Sequence, residues 1–260
     1  MSLNKSKIDY LAMSEELIGR PGYTLNIVTG CKHGCDYCYA REMVEYGRLK
    51  GHPSYPYGFE PTFHPDRIKA IGGKPKLILL NDMGDVGGDW DLKNGYFRGA
   101  HTPEENNKVD WYEEIVDQLT IANEMVLFAE MNPQHILLLL TKRPEWYVLA
   151  EWPDNVKKGF TATTNKELWE RWVQYDFVDW ISLEPWLDPD PPNIIETEAW
   201  LVIGGLSGRN ARSISTATHN WLMDKSIRAK RFTKQNISAS LKIPHADVPR
   251  EYPDSWKVQR

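Results

Sequence analysis

The chain has three cysteines, Cys31, Cys35 and Cys38, and all of them fall within the stretch TGCKHGCDYCYA. Neighbours this close cannot build a disulfide framework, and an odd number leaves one thiol over. Thiolates are metal ligands, so the spacing Cys-x3-Cys-x2-Cys reads as a metal site. Structural zinc wants four ligands, usually from two Cys-x-x-Cys pairs or added histidines. His33 lies inside the loop and offers such a donor, so zinc stays open. Three thiolates on one short loop can instead hold three irons of a 4Fe–4S cubane and leave the fourth iron free.

Other residues capable of chemistry follow directly on apolar runs. They are Asn81-Asp82, Thr141-Lys142-Arg143, Thr163-Thr164-Asn165, Glu184 and Ser207. Packing alone gives no reason for polar residues to recur at those points.

The runs themselves are of strand length: 24–29, 76–81, 135–141, 159–164, 178–183, 200–205 and, more weakly, 230–234. Continuous apolarity predicts strands buried on both faces. Helical patterns lie between them. One is expected at about 37–49, and a longer one at about 109–131, where Trp111, Ile115, Leu119, Ala122, Val126 and Ala129 recur at steps of three and four. Pro144 is placed to start another helix. Residues 51–74 and 84–106 read as irregular. Strands alternating with helices predict an α/β fold with a parallel sheet, either doubly wound or a full or partial barrel. In both, functional residues lie where strands end.

At 260 residues, 41% hydrophobic and 26% charged, the chain suits an ordinary globular fold, read here as a single domain with a basic C-terminal extension from about 206 to 260. The longest apolar run, 136–140, is far short of a membrane span, and MSLNKSKIDY lacks the apolar core of a secretory signal. A cytoplasmic protein without membrane association is therefore expected. The net charge of −5 argues against bulk, sequence-independent binding to nucleic acid. Between residues 206 and 245, however, Arg209, Arg212, Lys225, Arg228, Lys230, Arg231, Lys234 and Lys242 face only Asp224. That segment is either a solvated face or a local phosphate contact. The eleven tryptophans and twelve tyrosines read first as core and loop anchors, and second as stacking platforms. No dinucleotide fingerprint is present, which argues against a nicotinamide cofactor.

With Tyr37 in the aromatic slot, Cys-x3-Cys-x-aromatic-Cys resembles the signature of the radical SAM superfamily. The rest of the chain resembles a phage-associated, radical-SAM-like family catalogued as a domain of unknown function. The likeness is carried by NIVTGCKHGCDYCYAREM, LILLNDMGDV, PQHILLLLTKRPEW, WISLEPWL, WLVIGGLSGRNAR and RFTKQ. It implies a partial or near-complete (β/α) barrel with a 4Fe–4S cluster on Cys31, Cys35 and Cys38 at its C-terminal mouth. S-adenosyl-L-methionine (SAM) would chelate the free iron through its amino and carboxylate groups and be cleaved reductively to a 5′-deoxyadenosyl radical. A barrel suits that chemistry because it excludes water and competing hydrogen donors. No cysteines remain for a second cluster, so the electron would come from an external flavodoxin- or ferredoxin-like donor.

The resemblance also distributes roles. Tyr37 would lie against the adenine or beside the cluster, or else be a core tyrosine. Asp82, Met83 and Gly84, in a segment that departs from the usual Gly-Gly-Glu form, would offer backbone contacts to the SAM amino group, or form a plain turn. Asp85 receives no side-chain role. Thr141 would reach the ribose and Lys142 or Arg143 the carboxylate, the alternative being a cap with a solvated cation pair. Thr163 would touch ribose or substrate, or serve as a helix cap. Glu184 reads as a site residue, because a carboxylate behind an apolar strand is costly unless paired or wet. Gly205 and Ser207 would allow close approach to adenosine or an anion. Lys234 and Gln235 match the family's last segment without an assigned role. A nucleotide or nucleic acid, as the target of base modification or of a lesion lyase, is the leading substrate class, with a peptide or small metabolite still open. The competing function is a non-catalytic binding or regulatory protein of phage type, stabilised by zinc or an iron–sulfur cluster. An electron carrier would normally supply a fourth cysteine.

Overall fold

The apolar runs do form parallel strands. The computed structural model describes residues 3–88, 97–99, 115–194, 196–206, 211 and 213–258. The chain divides into two units, one of Met1–Asn4 with Tyr23–Val156 and one of Lys5–Gly22 with Lys157–Arg260. It begins with a two-residue strand, β1 (Asn4–Lys5), and two short helices, α1 (Asp9–Ala12) and α2 (Ser14–Ile18).

The first unit contains β2 (Gly22–Leu25), β3 (Val28–Thr29), α3 (Tyr39–Glu45), β4 (Thr62–Phe63), β5 (Leu77–Leu80), β6 (Phe97–Gly99), β7 (Ile115–Val116), α4 (Gln118–Glu130) and β8 (Ile136–Thr141). Strands β2, β5 and β8 are neighbours in that order, and a second small sheet runs β3-β4-β6-β7. β5 and β8 are parallel, with Leu77 opposite Ile136 and Leu80 opposite Leu139. Ile78, Leu80, Leu137 and Leu139 pack with Ile121, Met125, Phe128 and Trp146 into one core.

The single strand expected over 24–29 is broken at Asn26-Ile27, because side-chain amides take over its ladder. Asn81, in the left-handed region at φ 61, accepts from the Val28 amide at 2.7 Å. Asn26 Oδ1 accepts from the Met83 amide at 2.9 Å, while its Nδ2 donates to Asp82 at 2.8 Å. The helix expected over 37–49 is confined to Tyr39–Glu45, since Cys38 caps its start. The long helical pattern yields a helix from Gln118, capped by Asp117, which accepts from the Thr120 amide. Its buried face is Ile121, Ala122, Met125, Phe128 and Ala129, so the expected stripe is rotated and Leu119 is exposed. Ile115 belongs to β7, and residues 109–114, including Trp111, lie outside the described residues. After β8, Pro144 starts a 3-10 helix, Pro144–Leu149, in place of an α-helix.

The second unit holds β9 (Val156–Thr161), α5 (Asn165–Gln174), β10 (Trp180–Leu183), β11 (Trp200–Ile203), α6 (Thr216–Met223), β12 (Arg231–Thr233) and α7 (Gln235–Leu241). β9 to β12 are adjacent in sequence order and parallel, with Trp180 opposite both Gly159 and Trp200, and Val202 opposite Phe232. Gly159 is required there: a Cβ would stand 2.4 Å from Trp180 Nε1. Many of the aromatics serve the core. Trp180 and Trp200 are fully buried, and Trp200 stacks on Tyr252 with ring centroids 5.2 Å apart. The α/β class with parallel strands is thus present in each unit. Among the described residues no helix is long and apolar enough to cross a membrane.

A candidate metal centre on the cysteine loop

The cysteine loop leaves β3 through Gly30, and the neighbouring loop after β5 holds it there. The Gly30 amide donates to the Met83 carbonyl at 2.9 Å, and Gly30 bridges to Gly84 in parallel fashion. Gly30 has φ +78, and a Cβ on it would lie 2.3 Å from the Glu60 carbonyl oxygen. Only glycine meets both conditions. Thr29, just before it, shares a hydrogen bond of 2.9 Å with the buried ring of His64.

All three cysteines are free and half-buried. The Cys31 amide donates to the Phe59 carbonyl at 3.1 Å, and its sulfur accepts from the His33 amide at 3.4 Å. Cys38 Sγ accepts from the Arg41 amide, also at 3.4 Å, and so caps α3. Arg41 returns to the Cys31 carbonyl at 3.3 Å. Burial pushes the Cys31 thiol well above its ordinary range; Asp85, then Cys35 and Cys38, add to the rise, while the His33 amide opposes it. A bound metal would overcome that rise at Cys31, because it deprotonates a coordinating thiol outright.

Among the described residues no group of three or more His, Cys, Asp and Glu side chains converges as a ready cage for one metal ion. Three thiols on one loop, two of them already accepting amide hydrogen bonds, have the donor chemistry an iron–sulfur cluster takes.

Beside the loop lies a residue to which the sequence reading gave no side-chain role. Asp85 is buried, and its two oxygens accept four hydrogen bonds. Oδ1 takes the Thr141 hydroxyl at 2.6 Å and the Gly87 amide at 2.9 Å. Oδ2 takes the Lys142 amide at 2.9 Å and His33 Nε2 at 3.0 Å. Burial by itself would raise its pKa, but the bonds from His33, Thr141 and Lys142 outweigh burial and hold it below the usual carboxylate range. A carboxylate only accepts, so the shared proton sits on His33 Nε2. Gly87 lies so close that a Cβ would be 2.3 Å from Thr141 Oγ1.

Thr141, Lys142 and Arg143 follow β8. Thr141 donates a hydrogen bond from its hydroxyl to Asp85 and accepts one from the Arg143 amide at 3.0 Å. Lys142 Nζ donates to the Tyr37 hydroxyl at 3.1 Å and lies 5.5 Å from the ring centroid. Arg143 pairs with Glu145. Burial raises the Tyr37 phenol, Lys142 opposes the rise, and the nearby Cys35 adds to it. Asp82 is also raised, by burial, against the opposing bond from Asn26; its carbonyl accepts from Tyr39 OH at 2.7 Å. Within this unit the fold thus gathers Cys31, Cys35, Cys38, Tyr37, Asp82, Met83, Gly84, Thr141 and Lys142, with His33 and Asp85 added.

The second unit has its own row at the ends of β9 to β12. Thr163 donates through both its amide and its hydroxyl to Glu167, at 2.7 and 2.8 Å, while Thr164 caps α5. Glu184 follows β10 and has the partner its burial requires. Lys234 Nζ is 2.7 Å from its Oε1, with side chains 25% and 18% exposed. Burial would lower the Lys234 pKa, and the Glu184 carboxylate more than offsets that. Gly204 leaves room for the pair, since a Cβ there would lie 2.4 Å from Glu184 Oε1. The Gly205 amide donates to Asn236 Oδ1 at 3.3 Å. Ser207, with Gly208, Arg209 and Arg212, lies outside the described residues. Of the other basic-segment cations, Arg228 meets Glu196, Lys230 meets Asp254, and Arg231 donates to the Trp221 and Asp224 carbonyls.

Comparison with known proteins identifies the family. Residues 17–236 match the family described as "Protein of unknown function (DUF5131)", and the chain belongs to it. No curated protein and no solved structure matches the chain.

Proposed function

We propose that this protein is a radical SAM enzyme whose cysteine loop binds a 4Fe–4S cluster through Cys31, Cys35 and Cys38. The observation that carries the reading is the loop itself: three free thiols at a strand end, clamped to the loop after β5 by the Gly30–Met83 bond and bordered by polar residues from β8. When bound, the cluster would pass one electron, taken from a flavodoxin- or ferredoxin-like donor, to SAM, splitting its sulfonium into methionine and a 5′-deoxyadenosyl radical that takes a hydrogen atom from substrate.

The chain's own residues then have defined tasks. The amides of His33 and Arg41 donate to two of the sulfurs and stabilise their thiolate form. The backbone of Asp82, Met83 and Gly84 borders the loop where the SAM amino group would lie. Lys142, a cation partly withdrawn from water, suits a carboxylate, and Tyr37 offers its ring face to the adenine. In the second unit Thr163, Glu184, Gly205 and Ser207 remain assigned to SAM or substrate contacts. Closure into a partial or near-complete barrel, which would shield the radical, belongs to the same reading. So does a nucleotide or nucleic acid as substrate; the basic C-terminal segment supports that class, although several of its cations are already engaged with the chain itself.

The test is chemical. Protein reconstituted anaerobically with iron and sulfide, reduced with dithionite and mixed with SAM is expected to yield 5′-deoxyadenosine and methionine. Each of Cys31→Ser, Cys35→Ser and Cys38→Ser is expected to abolish both. A protein that holds only zinc and leaves SAM intact is instead a metal-stabilised binding or regulatory protein.

A further inference from the structure

The three cysteines are held in different ways. Cys31 is fixed through its own backbone, its amide on Phe59 and its carbonyl on Arg41. Cys38 is fixed as the cap of a helix. Cys35, the middle thiol, sits between His33 and Tyr37, and both of these reach the end of β8. His33 does so through Asp85, which also accepts from the Lys142 amide. Tyr37 does so directly, accepting from Lys142 Nζ. Residue 142 therefore grips the loop twice, once with its main chain and once with its side chain, on opposite sides of Cys35.

We propose that Asp85 and Lys142 form a clamp that sets the position of Cys35, so that the loop is pre-shaped before a cluster is inserted. This rests on the reading of the loop as a cluster site, but the clamp itself belongs to the metal-free chain. Asp85 and Lys142 are positioning residues in this account. Asp85 suits the task because it is buried, charged and accepts bonds from three segments at once; releasing such a hub is more costly than losing one exposed contact. Lys142 suits it because its amide and its ammonium act independently, so either grip can be cut alone.

The experiment uses the full chain, reduced and freed of metal. Alkylation of each cysteine by iodoacetamide is followed by mass spectrometry across pH. The limiting rate of the thiolate, which reports access, is thereby separated from the midpoint, which reports charge. Asp85→Asn and Lys142→Met are each expected to raise the limiting rate of Cys35 by about tenfold, the scale of one lost charge-assisted hydrogen bond. Cys38, held by its own helix cap, is expected to change by less than about threefold on the same scale. Tyr37→Phe, which removes only a hydroxyl, is expected to reproduce the Lys142→Met effect in the same direction. If Asp85→Asn does not fold, Lys142→Met and Tyr37→Phe still decide the matter. Equal acceleration of Cys35 and Cys38, or no change at Cys35, overturns the clamp. Iron and sulfide uptake by the wild-type chain is measured in parallel. If uptake fails while Cys35 responds selectively, the clamp stands and the cluster reading falls.

Discussion

Gly30 and Gly84 meet backbone to backbone: a Cβ on residue 84 would stand 2.9 Å from the Gly30 carbonyl oxygen and 3.1 Å from Thr29 Cα. The entrance of the cysteine loop and the turn after β5 are thereby packed with no room for a side chain. Gly84→Ala must push them apart, and overpacking of that kind costs about 1–3 kcal/mol. Urea unfolding is expected to show that loss, and the variant is expected to take up less iron than wild type under identical reconstitution. Unchanged stability with full uptake would mean that the two turns move independently.

His64 makes the loop's foundation sensitive to acid. Its ring is buried, and burial, then the nearby Arg67, push its pKa down to about 3. The unfolded histidine titrates near 6.5, so between these values the unfolded chain binds the extra proton. The contribution is therefore complete above about 6.5 and is lost as pH falls toward 3, with a slope approaching about 1.4 kcal/mol per pH unit. Asp85, held below the usual carboxylate range, contributes stability above that range which is lost at still lower pH. His64→Gln is expected to flatten the dependence between pH 6.5 and 4, as read from urea midpoints at several pH values.

In the second unit the Glu184–Lys234 pair is the costly one to break. Lys234→Met leaves a largely buried carboxylate without its cation, and such removals cost about 3 kcal/mol. The double variant Glu184→Gln, Lys234→Met removes the orphaned charge and is expected to recover part of that loss. A double-mutant cycle on thermal unfolding measures it.

Thr164 is a simpler case. It caps α5 by accepting from the Glu167 amide at 3.3 Å, so Thr164→Ala is expected to cost about 1 kcal/mol. Iron uptake should be unaffected, which reconstitution of the variant checks.

These relationships differ in how far the sequence discloses them. The strands were legible because continuous apolar stretches, such as Ile136–Thr141, leave little alternative. The cysteine loop was legible because its thiols are local to one another. Asp85 was not: within NDMGD it reads as part of a turn, and its partners His33, Thr141 and Lys142 are 52, 56 and 57 residues away. Glu184 shows the intermediate situation, since burial behind an apolar strand predicts that a partner exists without saying that it is Lys234. The face of α4 went astray for a physical reason as well. Its apolar residues outnumber one stripe, and tertiary packing selected Ile121, Met125 and Phe128 while leaving Leu119 and Leu127 exposed. The break in the strand at Asn26-Ile27 depends on Asn81 occupying the left-handed region, which no local pattern announces.

The central claim is that the thiols of Cys31, Cys35 and Cys38 hold a cluster with a free iron that SAM can occupy. Its most direct test is low-temperature EPR of anaerobically reconstituted, reduced protein, recorded with and without SAM. The account predicts a reduced 4Fe–4S signal whose g values shift when SAM is added and which is lost in Cys35→Ser. A signal indifferent to SAM, or a protein that takes up zinc and no iron–sulfur cluster, would contradict it.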